Sequence, residues 1–174
     1  MSLDNLLPPD IAELARRVVE ANKAAGRTVA TAESCTGGLV AGALTEVPGS
    51  SAILDRGFIT YSNEAKMETL GVPADLIDTF GSVSVAVAWS MAQGALRRSN
   101  ADVAVAITGI AGPEGGSAQK PVGTVVFACA ERGQDPEDVV AEMKNFDPNG
   151  TRAEVRRQAT MIALDLLLPR AGEG

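Results

Sequence analysis

From Thr28 to Val47 the chain passes from a short apolar strand, Thr28-Val29-Ala30-Thr31-Ala32, through a small-residue turn from Glu33 to Gly38, into a helical stretch that Pro48-Gly49 stops. Strand, tight glycine turn and helix in direct succession are the opening of an α/β unit. The remaining pattern extends it. Upstream, Asp10 reads as the N-cap of a helix reaching Gly26, with Ile11, Leu14, Ala15, Val18 and Val19 at helical spacing. Downstream, a strand is expected in the second half of Ala52 to Tyr61. A short helix over Asn63 to Leu70 follows, which Asn63 would cap and Gly71 end. Pro73 to Phe80 is a further helical piece, and Ser84 caps a longer helix through Arg97. Asp102 to Ile107 alternates β-branched and small residues as a strand does. Gly123 to Ala130 and Val139 to Phe146 read as two antiparallel strands, and a last helix runs from Thr151 to Leu168. Alternating strands and helices predict an α/β fold, a three-layer α/β/α sandwich with a mixed sheet.

With 174 residues the chain is expected to be a single domain, its core spanning about residues 10 to 168. Aromatics make up only 3%, so the core must be built from Ala, Val, Leu and Ile. The formal charge of −7 argues against nucleic acid as a partner, because phosphate neutralisation needs many Lys and Arg. No apolar run approaches the roughly 20 residues that span a bilayer, and no signal-peptide pattern opens the chain. A cytoplasmic protein with reduced thiols at Cys35 and Cys129 is the expectation. The small apolar helix faces at Val85 to Ala95 and Thr160 to Leu168 suggest a homo-oligomer.

The chain has no histidine. That excludes a Ser-His-Asp triad, a Cys-His pair and any His-ligated metal site, and neither cysteine has metal-ligand spacing; no metal is expected. Acid–base chemistry near neutral pH would fall to Lys, Tyr, Asp, Glu or Cys. Four segments are richer in Ser, Thr, Gly and Lys than packing requires. In Ala32-Glu33-Ser34-Cys35-Thr36-Gly37-Gly38, just past a strand, backbone N–H groups at a helix start can hold an anion or a developing oxyanion. Ser34 and Cys35 are both candidate nucleophiles there. Cysteine is the more reactive type, but buried small cysteines are usually core, and chemistry alone favours Ser34. In Gly57-Phe58-Ile59-Thr60-Tyr61-Ser62-Asn63-Glu64-Ala65-Lys66, Lys66 can act as a base only if burial or nearby positive charge lowers its pKa. Tyr61 could donate to a ligand or stack on it. Thr108-Gly109-Ile110-Ala111-Gly112, with Gly115-Gly116, is a loop after a strand whose glycines suit close ligand approach. Lys120-Pro121-Val122-Gly123-Thr124 supplies a cation at a strand start.

In their order and spacing these four segments resemble the CinA C-terminal domain family, named for competence/damage-inducible proteins and including stand-alone nicotinamide-nucleotide amidases. The resemblance spans about residues 10 to 168. It implies an amidohydrolase that converts nicotinamide mononucleotide to nicotinic acid mononucleotide and ammonia with a serine–lysine pair and no cofactor. It further implies Ser34 as nucleophile, Lys66 as its base, and Tyr61 and Thr108 beside them. Backbone groups over Cys35 to Gly38 or at Thr108 and Gly109 would then serve the substrate, and helix N-termini with one of Lys120, Arg152 or Arg156 would hold the phosphate. Where the family often reads Gly-Asp-Arg before the last helix, this chain has Gly150-Thr151-Arg152. The competing class is a non-catalytic nucleotide-binding or interaction module on the same fold.

Overall fold

The computed structural model describes residues 4–170. Among them the elements run α1 (Pro9–Ala24), β1 (Val29–Glu33), α2 (Leu39–Thr45), β2 (Leu54–Ile59), α3 (Asn63–Leu70), α4 (Ala74–Phe80), α5 (Val85–Arg97), β3 (Val103–Gly109), β4 (Thr124–Glu131), β5 (Val140–Asn145) and α6 (Arg152–Leu166). The sheet order is β2-β1-β3-β4-β5. β1 pairs in parallel with both β2 and β3, whereas β3–β4 and β4–β5 are antiparallel. The fold is therefore the expected α/β/α sandwich with a mixed sheet.

The alternation read in Asp102 to Ile107 has a different meaning from the usual polar-out pattern. β1, β3 and nearly all of β4 are buried on both faces. On one face Val29, Val103, Val105, Ile107, Val125 and Phe127 meet α1, α2 and α6. On the other, Ala30, Ala32, Ala104, Ala106, Ala128 and Ala130 meet α5, with the ends of α3 and α4 beside it. Large residues fill one layer, and small ones let α5 approach the sheet closely.

Some local expectations change. Pro9 occupies the first helical position of α1, so the N-cap is Pro8 and Asp10 lies in the first turn. The cap of α3 is Ser62, whose hydroxyl accepts the Ala65 N–H, rather than Asn63. Of the stretches that suggested a homo-oligomer, Val87, Ala88, Met91, Ala92 and Ala95 are buried in one layer and Ala163, Leu164 and Leu167 in the other, while Val85 is exposed. Among the described residues, no helix is long and apolar enough to cross a membrane.

Candidate active site

Neighbouring parallel strands that send their chains to opposite faces of a sheet leave a crevice at their carboxyl ends. β1 continues into α2 on the α1/α6 face, and β2 into α3 on the α5 face. Ser34, directly after β1, and Lys66, in α3, meet across that crevice. The Lys66 Nζ donates to Ser34 Oγ at 3.0 Å, to the Thr60 carbonyl at 3.0 Å and to the Tyr61 carbonyl at 3.0 Å. Ser34 Oγ in turn donates weakly to the Tyr61 carbonyl, at 3.4 Å.

The lysine is only 1% exposed and Ser34 only 6%. Burial pushes the Lys66 ammonium below the ordinary lysine range, because its three acceptors are neutral dipoles that replace hydration without supplying a counter-charge. The arrangement also aims the amine. Two backbone carbonyls take two of its N–H bonds, so in the neutral amine the lone pair faces Ser34 Oγ. That is the geometry of a base poised to take the serine proton.

The sign of the resulting pH dependence is fixed. A base at Lys66 would work only when neutral, so kcat/KM should be low at acid pH and rise as pH passes through its pKa, with a midpoint below the ordinary 10.5. A pH–rate profile checks this. A rising limb centred at 10.5 or above would mean that Lys66 is not the titrating base.

Cys35 is placed differently. It is 4% exposed and joins the core layer beneath α2 and α6, and its Sγ lies so close to Gly109 that a Cβ there would sit 3.0 Å away. Burial pushes its thiol up to about 11, reinforced by the negative charge of Glu33 and opposed by Arg156 and Lys66. At neutral pH it is a thiol, and none of the three acceptors of Lys66 is its sulfur. Of the two candidate nucleophiles, Ser34 is the one that Lys66 hydrogen-bonds.

The turn between Ser34 and α2 is held from behind. Arg156 Nε donates to the Cys35 carbonyl at 3.1 Å and Nη2 to the Thr36 carbonyl at 3.4 Å. A trans peptide points its N–H away from its own C=O, so the N–H groups of Thr36 and Gly37 leave on the side opposite Arg156. Gly37 spends its N–H on the Ser34 carbonyl. The Thr36 N–H has no protein acceptor among the described residues and is free for an oxyanion. Gly37 and Gly38 have φ of 59° and 100°, a left-handed path that suits glycine. Among the described residues, the Thr36 and Thr60 hydroxyls are buried without a hydrogen-bond partner.

The other expected residues spread around this centre. Thr108 Oγ1 donates to the Ser82 carbonyl at 2.8 Å, and Gly109 closes β3 beside Cys35. Ile110 is tied to Thr124 and Gly123 by backbone bonds, and Ala111 is buried. Tyr61 is 62% exposed, and its hydroxyl accepts from Arg152 Nη2 at 3.0 Å, while Arg152 Nη1 donates to the Gly112 carbonyl at 2.7 Å. Lys120 Nζ donates to the Phe80 carbonyl at 2.6 Å. Arg152 is thus joined to Tyr61, Arg156 is turned inward to the turn after Ser34, and Lys120 is engaged on the last residue of α4. Sequence reasoning missed the part played by Glu33, a charged residue ending an otherwise uncharged buried strand. It also missed the Thr60 carbonyl. No group of three or more His, Cys, Asp or Glu side chains among the described residues is arranged to hold a metal ion.

An α/β/α sandwich with a serine and a buried lysine joined across the ends of two parallel strands is a layout that a hydrolase without histidine can use. Residues 11–170 match the CinA C-terminal domain, and the chain belongs to that family. It is 50% identical over 159 residues to the nicotinamide-nucleotide amidohydrolase PncC of Escherichia coli K12, covering 91% of this chain and 93% of that one. It is 52% identical over 145 residues to a putative competence-damage inducible protein of Symbiobacterium thermophilum, of which the match spans only 34%. The solved structure of a competence/damage inducible protein from Agrobacterium tumefaciens superposes with a TM-score of 0.88 at 51% identity, covering 96% of this chain and 97% of that one.

Proposed function

We propose that the chain is a nicotinamide-nucleotide amidohydrolase that deamidates nicotinamide mononucleotide through Ser34 and Lys66. The observation that carries the dyad is the 3.0 Å contact between a buried Lys66 amine and Ser34 Oγ, with the other two N–H bonds of that amine on backbone carbonyls. The near full-length likeness to PncC supports the substrate class.

In this reading neutral Lys66 takes the Ser34 proton while Oγ bonds to the carboxamide carbon. The resulting oxyanion is met by the Thr36 N–H and by backbone groups near Gly109, each donor contributing about 3–4 kcal/mol. Collapse breaks the C–N bond, and protonated Lys66 gives its proton to the departing ammonia. Water then attacks the acyl-Ser34, Lys66 takes a water proton and returns it to Oγ, and the carboxylate product leaves. Arg152 is the phosphate anchor in this scheme, since among the described residues its charge meets only the neutral acceptors Gly112 and Tyr61. No step calls for a metal or a cofactor. A cytoplasmic location accords with two buried cysteines that no disulfide joins.

Ammonia release from nicotinamide mononucleotide, compared with free nicotinamide and simple amides, tests the proposal. The nucleotide should be turned over with by far the highest kcat/KM, and a chelator should leave the rate unchanged. Equal turnover of free nicotinamide would reject the nucleotide as substrate. A folded protein that binds the nucleotide but releases no ammonia would instead be a binding module.

A further inference from the structure

We propose that Glu33 is the positioning residue of the dyad, holding the nucleophile's turn and the lysine's carbonyl acceptors in one register. The proposal rests on the Ser34–Lys66 reading above. Glu33 is the last residue of β1 and is completely buried. A buried carboxylate is strongly unfavourable unless its oxygens are satisfied. Here Oε1 accepts the Val40 N–H at 3.0 Å, and Oε2 accepts the Ala41 N–H at 3.1 Å and the Thr31 hydroxyl at 3.4 Å.

Those two N–H groups belong to the first turn of α2, which a side chain at the N-cap ordinarily satisfies. The N-cap is Gly38, which has no side chain to offer. The cap comes instead from the strand, across the turn that carries Ser34, and so ties the end of β1 directly to the start of α2. The backbone of Glu33 makes the second tie, because its carbonyl accepts the Thr60 N–H at 2.9 Å. Thr60 and the residue after it supply the two carbonyls that aim Lys66. One residue, next to the nucleophile in sequence, thus fixes the turn with its side chain and the base's cradle with its main chain. A cap needed only for helix stability would be met locally at position 38.

The test compares Glu33→Gln and Glu33→Asp with the parent and with Ser34→Ala, measuring kcat and KM for ammonia release per folded protein, the folded fraction being taken from circular dichroism. Gln keeps the length but puts an NH2 donor where one carboxylate oxygen accepts an N–H of α2. Asp keeps the charge but is one methylene too short to reach both. Each is expected to lower kcat by about 10- to 100-fold with KM changed less than about 3-fold, as a small displacement of reacting groups does. Asp also keeps the test open if Gln folds poorly. An active parent, an inactive Ser34→Ala and a Glu33→Asp or Glu33→Gln variant within about 2-fold of the parent kcat would overturn the positioning role alone, as would a loss confined to KM. A parent that releases no ammonia would overturn the dyad reading and this proposal together.

Discussion

Ser34→Ala and Lys66→Ala are each expected to lower kcat for ammonia release by about 10⁴-fold or more, the scale on which nucleophile and base deletions act in serine hydrolases. The double variant should be little worse than either single one. In the proposed mechanism Ser34 and Lys66 exchange one proton across their 3.0 Å contact, so neither would have a function without the other. Initial rates for the three variants, with circular dichroism to show that each is folded, measure both the size and the non-additivity. Losses that multiply in the double variant would mean that the two residues act independently and that the dyad is wrong. Retention of rate in Ser34→Ala would move the nucleophile elsewhere.

The second large effect is one of packing. α5 crosses the end of α3 at Gly94, where an added Cβ would lie 2.1 Å from the Leu70 carbonyl oxygen and 2.9 Å from its carbon. Both are backbone atoms and cannot rotate away. In an exposed helix Gly→Ala gains about 1 kcal/mol from propensity. Against that, forcing apart two packed helices costs about 3 kcal/mol, so Gly94→Ala should be destabilising on balance. In a domain of this size the net loss of about 2 kcal/mol lowers Tm by about 4–8 °C. Lys66 sits on the same short helix, so kcat should fall as well, since relief of the clash moves α3 off α5. A thermal melt with Tm unchanged within about 1 °C would show that the contact yields without strain.

Much of this architecture was legible because its signals are local. The β1–turn–α2 succession, the Ser84 cap of α5, the β4–β5 hairpin and the start of α6 at Thr151 all depend on residues within a few positions of each other. Thr151 even pairs with Glu154 as a reciprocal capping box. The errors were local competitions. Asp10 lost the N-cap of α1 because Pro9 already suits the first helical position, and Asn63 lost that of α3 to the equally competent Ser62 beside it. With Ser62 as cap, Asn63 is exposed while Lys66 points inward.

By itself the sequence determined the chemistry that was available. A histidine-free chain had to rely on Lys, Tyr, Asp, Glu or Cys for acid–base chemistry, and its serine and glycine turns stood where strands end. Only the tertiary structure could choose among these groups, because the choice depends on burial and on partners far away along the chain. Lysine at position 66 is an ordinary surface cation until α3 is laid against α5 and two carbonyls after β2 take its N–H bonds. Cys35 is a rival nucleophile until the core closes over it and keeps it protonated. Glu33 is a charge at a strand end until the start of α2 comes round to meet it. Desolvation and hydrogen-bond geometry are properties of the folded neighbourhood, and no spacing along the chain encodes them.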